Sequence, residues 1–201
     1  MHHFYFLPGA SGNTDFWQPL LQKYINTTHE GQIIAYPGFY NIPCEPHIQS
    51  FEQLSDHVLS KIVKPSILIA QSMGGLFAIR AALEKGDLVK GLVLIATSGG
   101  ICLDEFNVQD WRADYHQQQA QTPNWFVKTQ ANYEKELASI KIPVLLIWAD
   151  ADPISPLPIA LKLQSYLPQA ELKVIRSTSH HFASLHSTKI KAYIDEYFQL
   201  P

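Results

Sequence analysis

Apolar residues along the chain fall into two alternating rhythms. Short, nearly continuous apolar runs occupy residues 2–7, 32–36, 66–70, 89–96, 143–148 and 172–175. Breakers such as Pro8-Gly9 and Pro37-Gly38 close several of them, as expected of strands covered on both faces in a parallel sheet. Between them the spacing lengthens to that of a helix. Phe16, Leu20, Leu21 and Tyr24 share one face in 16–25, and Phe51, Leu54, Val58, Leu59 and Ile62 share one in 48–63. Leu76, Ile79 and Leu83 do so in 73–85 before Gly86, and further helices are predicted over 158–166 and 187–198. Six strands alternating with helices imply an open, mostly parallel sheet with right-handed crossovers and helices on both faces.

The rhythm fails between about 100 and 140, where Phe106, Trp111, Tyr115, Trp125 and Phe126 stand among polar residues. A length of 201 residues, 46% of them hydrophobic and 16% charged, suits one domain with a full core. A net charge of -3 without a basic run gives no field for nucleic acid or an anionic membrane. No apolar run is long enough to span a bilayer, residues 1–8 lack the features of a signal peptide, and no internal repeat is evident. Cys44 and Cys102 have unrelated contexts, and both are expected to be reduced, buried structural thiols of a cytoplasmic protein.

Candidate chemistry centres on Leu68-Ile69-Ala70-Gln71-Ser72-Met73-Gly74-Gly75, where an apolar run stops at a serine flanked two residues away on either side by Ala70 and Gly74. A serine presented at a strained strand-to-helix turn needs small neighbours at those positions, and this run fits such a nucleophile elbow; a plain tight turn is the competing reading. A serine hydroxyl also needs a base, and the base needs an acid to orient it. Asp150 and Asp152 follow one predicted strand, and His180 and His181 follow another. The histidine pair has no partners at metal-ligand spacing, so no metal is expected. Gly9 and Gly12 lack the lysine-hydroxyl pair or the third glycine of a nucleotide loop.

The Ala-Gln-Ser-Met-Gly-Gly run resembles the elbow of the α/β-hydrolase superfamily, in which serine, acid and histidine follow one another in that chain order. The resemblance extends over essentially the whole chain. It implies an α/β fold lacking the first two strands of a full-length member, which leaves a minimal six-stranded sheet of order 2-1-3-4-5-6. Residues 1–201 then form a single domain with a short cap inserted at about 100–140. It further implies that Ser72 is the nucleophile, that Asp152 before Pro153-Ile154 is the acid with Asp150 as its rival, and that His180 after Ser179 is the base with His181 as the alternative. The oxyanion hole falls on the backbone N–H groups of Ala10 and Met73, although Pro8 stands where the family more often has histidine.

The activity so implied is hydrolysis of carboxylic esters without metal or cofactor, acting on a small-molecule ester of short to medium acyl length. Trp111, Arg112, Trp125 and Phe126 of the cap are the implied substrate contacts. Pimeloyl-carrier-protein methyl esterases have similar elbows and histidine loops, which brings in an acyl carrier protein as a partner, with Arg112 holding a carboxylate or a phosphopantetheine phosphate. Thioesterase or lyase activity, or small-molecule binding without turnover, are the alternatives on the same fold.

Overall fold

The computed structural model describes residues 2–111, 115, 122, 123, 125 and 131–200. Its six strands are β1 (His3–Leu7), β2 (Glu30–Ile33), β3 (Ser66–Gln71), β4 (Val89–Ile95), β5 (Val144–Ala149) and β6 (Ala170–Ile175). They form one sheet of order β2-β1-β3-β4-β5-β6 in which every neighbouring pair is parallel. The helices named below are α1 (Gln18–Ile25), α2 (Phe51–Lys61), α3 (Met73–Glu84), α4 (Leu157–Tyr166), α5 (Phe182–Leu185) and α6 (Ser187–Phe198).

Alternation along the strands divides the core in two. Leu7, Leu68, Leu94, Leu146 and Trp148 face one way and join α2, α3 and α4 through Leu54, Val58, Phe77, Ile159 and Leu163. Phe6, Ile69, Val93, Ile95 and Ile147 face the other way and join α1 and α6 through Leu20, Tyr24, Ile190 and Ile194. Every residue of β3 and β5 is buried. At about 1.5–3 kcal/mol for each fully buried large apolar side chain, these two-faced strands supply much of the driving force that holds the layers together.

Element ends differ from the sequence reading for local reasons. The second strand runs over Glu30–Ile33, two residues earlier than expected. It pairs with β1 from His3 to Phe6, and after the Ile34 N–H reaches the Phe6 carbonyl the chain turns away towards Tyr36 and the Pro37-Gly38 turn. The helix expected over 48–63 starts at Phe51, because Ser50 caps it by accepting the Gln53 N–H at 3.2 Å. The first helix is preceded by a 3-10 turn, Thr14–Trp17. Both cysteines lie on loops outside the sheet layers and are exposed, free thiols, contrary to the expectation that they are buried.

In register, Leu7 pairs with Ala70, Gln71 with Ile95, Ile95 with Ile147, and Ala149 with Ile175. The carboxyl ends of five strands therefore lie along one edge. The chain leaves β1 for β2 on one side and then returns to β3 on the other, so β1 and β3 flank the point where the winding reverses. Ligand crevices of open α/β sheets form at such a point.

Candidate active site

Beyond the carboxyl ends of β1 and β3 lies a cavity of about 530 Å³, and Ser72, His180, Ala10 and Met73 all line it. Ser72 joins β3 to α3 with φ 53° and ψ -121°, a conformation that is costly for a residue with a side chain, on the order of 1–3 kcal/mol. Its surroundings over-determine it. The Ser72 N–H donates to the Ile95 carbonyl at 3.0 Å, while its own carbonyl accepts the Thr97 hydroxyl at 2.6 Å and the Gly75 N–H at 2.9 Å. Gly74 explains the need for a small residue two positions on, since a Cβ there would lie 2.5 Å from the Leu7 carbonyl oxygen and 2.6 Å from that of Pro8. The elbow is wedged against the end of β1.

β5 ends at Ala149, and the following loop is held by the Trp148 indole, which donates to the Ser155 carbonyl at 2.9 Å. Asp152 in this loop is buried. One of its carboxylate oxygens accepts the N–H groups of Ile154 and Ser155 at 2.9 and 3.0 Å, and the other lies 2.7 Å from His180 Nδ1. With Nδ1 so engaged, His180 Nε2 is the nitrogen left for proton exchange. Asp150 is instead exposed and accepts the Ser177 N–H at 2.9 Å, closing the turn that carries the histidine loop.

Ser177 and Ser179 shape that loop by accepting the N–H groups of Ser179 and His181, and fully buried Phe182 anchors its exit. His181 also lines the cavity, with its ring edge-on to Phe16. Desolvation, followed by the neighbouring His180, holds the His181 imidazole below its usual pKa despite Asp152.

Phe51, Leu76, Leu103, Val108, Trp111 and Ile159 give the cavity an apolar wall. No described lining residue is Lys, Arg, Asp or Glu. Trp125 is not among the lining residues: its ring stands edge-on to Phe39, 5.9 Å between centroids. Arg112 and Phe126 lie outside the described residues.

Two contributors carried no signal of their own in the sequence. Gln71, before the serine, lines the cavity, points its amide nitrogen at the His180 carbonyl at 3.4 Å and lies against Gly9. Tyr36, buried in the core, donates its hydroxyl to the Pro8 carbonyl at 2.8 Å. Elsewhere, Glu45 Oε2 lies 3.4 Å from His47 Nε2 and 3.8 Å from His57 Nδ1. Burial and then the Lys61 ammonium hold His57 below its usual pKa, and that positive charge also opposes a cation at the cluster.

A family model described as TAP-like protein matches residues 108–201. A 2-hydroxy-6-oxononadienedioate/2-hydroxy-6-oxononatrienedioate hydrolase from a Pseudomonas species is 23% identical, over 93% of this chain and 83% of that protein. The pimeloyl-[acyl-carrier protein] methyl ester esterase of Pseudoalteromonas atlantica is 33% identical over 100 residues, 48% of this chain and only 37% of that esterase. Among solved structures, an α/β-hydrolase enzyme from the metagenome of Mar Chica lagoon sediments superposes with a TM-score of 0.78 at 22% identity, covering 98% of this chain and 90% of its own.

Proposed function

We propose, from its α/β-hydrolase fold and the contents of its cavity, that the protein is a serine hydrolase cleaving carboxylic esters through an acyl-enzyme. The observation that carries this reading is the strained Ser72 in one cavity with His180, whose Nδ1 is hydrogen-bonded to buried Asp152. In the proposed mechanism Ser72 Oγ attacks the ester carbonyl carbon while His180 Nε2 takes its proton, and Asp152 stabilises the imidazolium that forms. The negative charge on the carbonyl oxygen is met by two backbone N–H groups. Met73 opens α3, so its N–H has no partner within the helix, and Ala10 lies in the loop after β1 on the rim of the same cavity. Collapse of the tetrahedral intermediate breaks the C–O bond, and His180 returns the proton to the departing alkoxide. Water, deprotonated by His180, then attacks the acyl-enzyme and releases the carboxylic acid and Ser72.

The apolar wall, uncharged among the described residues, supports an acyl chain of short to medium length. The methyl ester of a pimeloyl carrier protein is the specific substrate we add, on the strength of the matched esterase; its partner would be the acyl carrier protein. A p-nitrophenyl ester series from acetate to laurate tests the reading. The expected profile has its highest kcat/KM between about four and eight acyl carbons, with hydrolysis abolished in Ser72→Ala. No turnover across the series, or equal turnover in Ser72→Ala, contradicts it.

A further inference from the structure

The loop after β1 has three consecutive carbonyls, each held by a different donor. The Pro8 carbonyl accepts the Tyr36 hydroxyl at 2.8 Å, the Gly9 carbonyl accepts the Gly12 N–H at 2.9 Å, and the Ala10 carbonyl accepts the Tyr115 hydroxyl at 2.8 Å. A trans peptide points its C=O and N–H in opposite directions. The Gly9 carbonyl is turned into the Gly9–Gly12 turn, so the N–H of the same peptide, that of Ala10, is directed out of it. This peptide borders the nucleophile: a Cβ on Gly9 would lie 3.3 Å from Ser72 Cβ.

Of the three ties, that of Tyr115 comes from farthest along the chain, 105 residues away. Tyr115 itself lines the cavity, together with Trp111 and Val108. The hydroxyl is set up to donate, because the Thr122 side chain hydrogen-bonds to it in the sense that lowers the phenol pKa, as a donor does; the larger effect of burial nonetheless pushes that pKa up to about 12. Trp111 stands edge-on to the Tyr115 ring, 5.7 Å between centroids. Thr122, Tyr115 and Ala10 therefore form a directed chain of hydrogen bonds that ends on the loop after β1.

We propose that Tyr115 is a positioning residue: its hydroxyl fixes the Ala10 carbonyl and thereby keeps the Ala10 N–H oriented for the oxyanion. The inference rests on the serine-hydrolase reading above. Removing one direct oxyanion donor in comparable sites costs about 10²–10³ in kcat. A residue that only orients the donor accounts for part of that, about tenfold.

Tyr115→Phe keeps the ring and removes the bond. Its kcat on a p-nitrophenyl ester should fall about tenfold with KM within about twofold, and affinity for a boronic acid that forms a tetrahedral adduct should fall by a factor similar to kcat. If Tyr115 served only to hold the cavity wall together, KM would rise and the ratio of boronic acid affinity to substrate affinity would stay fixed. That result, or an unchanged kcat, overturns the proposal. Thr122→Val removes the outer link without touching the tyrosine, and should give a smaller loss of the same sign in boronic acid affinity; if Tyr115→Phe fails to fold, no change in Thr122→Val overturns the proposal on its own. A wild-type chain that hydrolyses the ester while both variants match it refutes this inference alone, whereas an inert wild type refutes the serine-hydrolase reading beneath it.

Discussion

At the scale of single residues, the two aspartates of one loop divide two tasks that the sequence left between them. Asp152 is buried, bound by two backbone N–H groups and in contact with His180, while Asp150 is exposed and closes a turn through the Ser177 N–H. Replacing the Asp152 carboxylate by an amide removes the charge that favours the imidazolium and lets the amide stabilise the wrong tautomer, a change worth about 10⁴ in kcat where such an acid acts in a triad. Asp152→Asn should therefore lower kcat by about 10³–10⁴, and Asp150→Asn by less than about fivefold; steady-state kinetics on one p-nitrophenyl ester checks both. A larger loss at Asp150 would make it the acid. The candidates themselves were legible from residue type and chain order. The ties that distinguish them were not, because backbone N–H groups two and three residues on, and a carbonyl partner a hundred residues away for Tyr115, leave no mark in the sequence.

At the scale of elements, the buried strands were the most readable because both faces demand apolar side chains, so β3 and β5 appear as nearly continuous apolar runs and β4 is interrupted only near its start, at exposed Lys90. The edge strand β2 was read two residues late: its own residues, Glu30-Gly31-Gln32-Ile33, alternate between exposed and half-buried, and the apolar run continues past the end of pairing. The junction between β3 and α3 was legible through Ala70, Ser72 and Gly74, since the crowding that dictates small residues is local in sequence as well as in space. Crowding at Gly74 carries its own test. The atoms a methyl group would meet are the backbone carbonyls of Leu7 and Pro8, and these cannot move without disturbing the pairing of β1 with β3. Gly74→Ala should destabilise the fold by roughly 1–3 kcal/mol and lower kcat at the same time; denaturant titration and ester kinetics measure the two effects. A variant as stable and active as the wild type would show that the elbow is not wedged against β1.

At the scale of the whole molecule, the sheet order places the loop after β1 beside the elbow after β3, and the loops after β5 and β6 bring Asp152 and His180 to the same edge. Strand-helix alternation was enough to anticipate an open parallel sheet, whereas its strand order was expected only from the resemblance carried by the elbow. Residues 100–140 stayed opaque because their aromatics follow neither period: Trp111 and Tyr115 line the cavity, whereas Trp125 packs on Phe39. Everything proposed for this molecule depends on Ser72 being an activated nucleophile at the floor of that cavity. The most direct test is intact-mass analysis after treatment with an alkyl fluorophosphonate, followed by peptide mapping. One phosphonyl adduct per chain, carried on Ser72, and no adduct on Ser72→Ala is the expected result; an unlabelled wild type, or an adduct on another serine that persists in Ser72→Ala, would contradict Ser72 as the nucleophile.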